Sequence, residues 1–113
     1  MIPITEIEHI KDIIVRLYQP EKIVIFGSYA RGEQDVNSDI DILVISDREK
    51  NIPHYKRGLE VRVALSEVMI EKDILFYTNS EVRKSAELSS SFISRAIKEG
   101  KIIYEREAER IGI

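Results

Sequence analysis

No cysteine occurs among the 113 residues, which excludes a disulfide framework, a thiolate nucleophile and a zinc–thiolate site. Histidine is scarce too: His9 and His54 are the only two, and neither has a partner at metal-ligand spacing. No apolar run approaches the length needed to cross a membrane. The opening MIPITEIEHI places Glu6 and Glu8 within its apolar spacing and lacks a small-residue cleavage site, unlike a signal peptide. An excess of one charge is also missing. The 17 Lys and Arg against 20 Asp and Glu give a formal net charge of -3, and the basic residues are interspersed with acidic ones. That pattern excludes the broad basic patch of a general nucleic-acid binder. Neither an internal repeat nor a low-complexity segment is present. A cytoplasmic protein is expected.

Hydrophobic residues at 43% and charged ones at 33% suit a globular chain with a core. A length of 113 residues points to one domain, 1–113, with no room for a second, substrate-binding one. The molecule acted upon is therefore small, or is held partly by a partner.

In chain order, Ile7, Ile10, Ile14 and Leu17 recur at helical spacing and predict a first helix over Pro3 to Leu17, stopped by Pro20. Ile23 to Phe26 reads as a short buried strand. Gly27-Ser28 turns out of it into a brief helix, Ser28 to Arg31, and a polar loop follows to Ser38. Ile40 to Ile45 is apolar on both faces and reads as a central strand. A loop over Asp47 to Pro53 precedes a long helix expected from Tyr55 to Ile70, marked by Leu59, Val63, Val68 and the Ala64-Leu65 pair. Lys72 to Thr78 is a third strand, with Asn79 or Ser80 capping the next helix. A last helix over Ser91 to Lys98 ends at Gly100, and Lys101 to Tyr104 forms an edge strand whose apolar Ile102-Ile103-Tyr104 end is a surface for a partner to cover.

The chemistry concentrates in IVIFGSYARGEQDVNSDIDILVI, from Ile23 to Ile45. Residues i and i+2 of a strand share a face, so Asp39 and Asp41 project side by side while Ile40 and Ile42 point the other way. Two neighbouring carboxylates repel unless a cation lies between them, and Mg²⁺ suits hard oxygen ligands combined with substrate phosphates. Gly27 lets a phosphate approach the main chain, and N–H groups at the start of the following helix attract anions. Asp73, at the mouth of the third strand, offers a third carboxylate, with Glu71 as runner-up; the plain alternative is a solvated strand-end charge. Three carboxylates at adjacent strand ends suit two Mg²⁺ ions bridging an attacking oxygen and a triphosphate. Tyr29, beside Ser28, either stacks on a base or packs under the short helix. The Ser89-Ser90-Ser91 run has no accompanying base and reads as a break between helices.

Gly27, Ser28, Asp39 and Asp41 fill a G-S-x10-D-x-D pattern that resembles the signature of the DNA polymerase beta-type nucleotidyltransferase superfamily. More narrowly, GSYARGEQDVNSDIDILV resembles the minimal nucleotidyltransferase (MNT) proteins, over about Ile23 to Tyr104. The resemblance implies an α/β fold, α+β in strict usage, with a small mixed sheet flanked by helices. It implies Gly27 and Ser28 holding a nucleoside triphosphate with Arg31 beside the phosphates, and Asp39, Asp41 and Asp73 as the catalytic, metal-binding triad for Mg²⁺. Transfer of AMP from ATP to a hydroxyl follows, and the acceptor implied is a tyrosine of a HEPN-domain toxin for which such proteins serve as antitoxins. Transfer to a small molecule such as an aminoglycoside, completed by a partner or a homo-oligomer, and a contact-only antitoxin are the alternatives.

Overall fold

A computed structural model describes residues 4–27, 40–87 and 92–106. The first helix, α1 (Ile4–Tyr18), buries Ile7, Ile10, Ile13, Ile14 and Tyr18, one stripe at three- and four-residue spacing. It ends where Gln19 takes a left-handed φ of 50° and donates its N–H back to the Val15 carbonyl, ahead of Pro20.

Four strands follow: β1 (Lys22–Phe26), β2 (Ile40–Ile45), β3 (Lys72–Tyr77) and β4 (Lys101–Glu105). Their spatial order is β3-β2-β1-β4. The β1 strand pairs antiparallel with both β2 and β4, whereas β2 and β3 run parallel. The result is the mixed, helix-flanked sheet that the sequence implied. Central β2 is apolar except for Asp41, as a strand covered on both faces should be.

Side-chain alternation divides the core in two. Ile23, Ile25, Ile42, Val44 and Phe76 face α1 and α2 (Leu59–Leu65), while Val24, Phe26, Leu43 and Ile45 meet Ile93 and Ala96 of α4 (Phe92–Glu99). Each fully buried Ile, Val or Phe stabilises the fold by roughly 1.5–3 kcal/mol. Between β3 and α4 lies α3 (Asn79–Ala86).

Three sequence expectations require correction. The long helix expected over Tyr55 to Ile70 is a 3-10 turn (His54–Lys56) followed by the seven-residue α2. The break is at Gly58, whose φ of 71° is left-handed and whose Cα lies so close to the Phe76 ring that a Cβ would overlap it. The face α2 buries is accordingly Val61 and Leu65; of the residues that marked the helix in the sequence, Leu65 is buried while Leu59 and Val63 are exposed. The cap of α3 is Thr78, not Asn79 or Ser80. Its hydroxyl accepts from the Glu81 N–H, and the Glu81 carboxylate accepts from the Thr78 N–H in return. In β4, a bulge opposite Ile23 and Val24 leaves Ile103 and Tyr104 both packed against the main core. Ile102 alone of the three is exposed.

Candidate active site

The parallel pairing of β2 with β3 is set by their apolar residues, because sliding one strand by a single position would turn its buried side chains into solvent. In the register adopted, Asp41 is the partner of Asp73 and Ile42 of Ile74. Paired residues of neighbouring strands point to the same face, so the two carboxylates stand side by side, about 4.8 Å apart at the backbone. Asp41 is half-buried and Asp73 exposed. They continue the row of Leu43 and Leu75 towards the strand ends, where the apolar layer under α3 and α4 runs out.

Gly27 closes this end from the other side. Phe26 is the β1 partner of Asp41, and Gly27 follows it with a φ of 79°. A Cβ on Gly27 would overlap the Asp41 carboxylate, so only glycine brings the main chain this close to it. Of the residues singled out in the sequence, Gly27, Asp41 and Asp73 are thus brought together. Ser28, Tyr29, Arg31, Asp39 and the Ser89-Ser90-Ser91 run lie outside the described residues.

Among the described residues no three carboxylates or imidazoles gather at metal-binding distance. Asp41 and Asp73 supply two hard oxygen donors on one face, a donor set that suits Mg²⁺. Glu71 is exposed and its carbonyl accepts from the Ile40 N–H, which extends the β2–β3 ladder by one residue. His9 and His54 are exposed; His54 rests near the Tyr77 ring and joins no metal cluster.

From the carboxylates an open depression of about 1210 Å³ runs around the edge of β3. Its far wall carries Tyr55 and Met69, the latter 94% exposed. Lys72 lines it too, with its ammonium donating to the Val68 and Ile70 carbonyls and its pKa lowered by burial.

At Phe76, which lines the depression, begins a cluster that the sequence does not reveal. The Arg57 guanidinium is buried and donates to the Glu49, Ile52 and Phe76 carbonyls and to both Glu81 carboxylate oxygens. Bound to Arg57 and to the Thr78 N–H, the Glu81 carboxyl is held at about 2. The cluster ties β3 to the start of α3 and to the turn before α2. The T-x-x-E spacing of Thr78 and Glu81 is the signal that could have found part of it; nothing near Arg57 in the sequence marks that residue as buried.

The polymerase beta nucleotidyltransferase family model matches residues 8–109. Two proteins of Methanocaldococcus jannaschii, each named a "putative protein adenylyltransferase", are 40% identical over 81 residues and 32% identical over 84. These matches cover 68% and 74% of this chain, and 80% and 78% of those proteins. A solved nucleotidyltransferase structure from Sulfolobus solfataricus superposes with a TM-score of 0.63 at 20% identity, covering 96% of this chain and 86% of that one, a likeness of fold. With the family model spanning most of its length, the chain belongs to the polymerase beta nucleotidyltransferase family.

Proposed function

We propose that this protein transfers AMP from ATP to a tyrosine hydroxyl of a partner protein, a HEPN-domain toxin that it thereby silences in the cytoplasm. The observation that carries the reading is the pairing of Asp41 with Asp73 at one end of the sheet, beside a Gly27 main chain that no other residue could bring so near. The names of the archaeal relatives point to protein as the acceptor class. Mg²⁺ held by Asp39, Asp41 and Asp73 would neutralise phosphate charge and lower the pKa of the acceptor hydroxyl.

The chain's own residues supply position and proton transfer. Gly27 and Ser28 hold the triphosphate through main-chain N–H groups and the Ser28 hydroxyl, with Arg31 beside the phosphates. The phenolic oxygen attacks the α-phosphorus, the bond from that phosphorus to the bridging oxygen breaks, and pyrophosphate leaves. Asp73, exposed at the strand end, accepts the phenolic proton.

Intact mass of the neighbouring-gene product, after incubation with this protein, Mg²⁺ and each NTP in turn, tests the reading. A gain of one or more AMP units, absent with Asp39→Asn/Asp41→Asn, is the expected result. Undiminished transfer by that variant, or no gain with any NTP, would sink it.

A further inference from the structure

Which backbone groups of β3 face outward follows from its pairing. The Ile40 N–H donates to the Glu71 carbonyl and the Ser46 N–H to the Tyr77 carbonyl, so the odd-numbered residues of β3 spend their backbone groups on β2. Lys72, Ile74 and Phe76 direct theirs away from the sheet. Arg57 occupies the Phe76 carbonyl. Among the described residues no side chain or neighbouring strand takes the outward groups of Lys72 and Ile74, and the depression opens along them. A usable edge of two donors and two acceptors therefore flanks Asp73.

We propose that this edge docks the acceptor, as a short extended segment of another protein that adds antiparallel to β3 with its tyrosine opposite Asp73; the inference rests on the transferase reading above. Lys72 and Ile74 then form hydrogen-bonded pairs with the residues on either side of the tyrosine. The tyrosine itself takes the closer, non-hydrogen-bonded position, its Cα about 4.5 Å from that of Asp73. Its side chain falls on the face of Asp41 and Asp73, completing a row of carboxylate, carboxylate and hydroxyl. The neighbouring side chains fall on the opposite face, where Val68 and Ile70 pack against the core and Met69 is exposed, a surface suited to apolar residues. Blockage of the edge at Phe76 keeps the docking short and reversible, as turnover requires.

The test uses the full chain, labelled with ¹⁵N, and the end-blocked peptide Gly-Val-Tyr-Val-Lys. Titration is expected to shift the Lys72 and Ile74 amide signals more than that of Asp73. N-methylation of either valine weakens binding about tenfold through a lost hydrogen bond, while N-methylation of the tyrosine, whose N–H points away from β3, changes it less than about twofold. No shift at millimolar peptide, or equal effects at all three positions, overturns the proposal. Lys72 and Ile74 signals that move with protein concentration but not with peptide assign the edge to a second copy and overturn it equally. AMP transfer is read separately by mass. A peptide that binds with the alternating pattern but is never modified leaves the docking edge standing and counts against the transferase reading.

Discussion

Replacing Glu81 with Gln removes one charge from the Arg57 cluster and leaves the side-chain shape intact. In the native protein one carboxylate oxygen accepts from the Thr78 N–H at 2.8 Å and Arg57 Nη1 at 2.7 Å, and the other accepts from Nη2 at 3.0 Å. A glutamine retains the first oxygen and sets an N–H₂ group against Nη2. Displacement of the carboxyl from its ordinary 4.5 to about 2 corresponds to roughly 3 kcal/mol at about 1.36 kcal/mol per unit. The Glu81 side chain is 38% exposed, so solvent screening reduces the expected loss to about 1–2 kcal/mol. Because the folded-state pKa is depressed, this stabilisation is fully present above the unfolded value and disappears as pH falls from about 4.5 through about 2. Urea denaturation of both proteins between pH 7 and pH 2 is the assay. The native protein should lead at pH 7 by that margin, with the gap narrowing below about pH 5 and nearly closed by about pH 2. Equal stability at pH 7, or a gap that persists unchanged to pH 2, would refute the reasoning.

Other substitutions probe the backbone and the β4 edge. Gly58→Ala combines a left-handed φ with overlap on the Phe76 ring; a loss of about 2–4 kcal/mol in the same denaturation assay is expected. Gly27→Ala pushes against the Asp41 carboxylate, so nucleotide transfer should fall by about 100-fold while stability drops only about 1–2 kcal/mol; transfer within threefold of native would contradict the close approach. Ile102→Lys leaves the fold intact, because Ile102 is 54% exposed, whereas Ile103→Lys buries a charge against the core and lowers the melting temperature by several degrees. Partner binding unaffected by Ile102→Lys would remove β4 as the partner's contact surface.

Elements with one dominant local signal were legible in the sequence. Helix α1 follows from its isoleucine spacing and the stop at Pro20, β2 from an apolar run that only Asp41 interrupts, and β3 from an apolar run read from Lys72 to Thr78, one residue beyond its end at Tyr77. The segment from Tyr55 to Ile70 was less so, because two helical stripes compete there. Leu59 and Val63 form one and Val61 and Leu65 the other, and only the position of α1 over the sheet selects the second. Arg57 was invisible for a related reason. Its partners are carbonyls of Glu49, Ile52 and Phe76, and a carbonyl has no sequence signature.

The candidate site divides along the same line. By itself the sequence determined which residue types stand near one another along the chain: a glycine and serine after a strand, and two aspartates two positions apart at the opening of an apolar run. It equally determined the absence of any cysteine chemistry. Tertiary structure decided what lies across the sheet. Asp73 is 32 residues from Asp41, and only the parallel register of β3 against β2 makes them neighbours. That register follows from packing Ile42 and Ile74 into the same buried layer, a long-range choice that no local pattern encodes. The outward direction of the Lys72 and Ile74 backbone groups is a consequence of the same pairing, since a residue of an edge strand can bond only one neighbour.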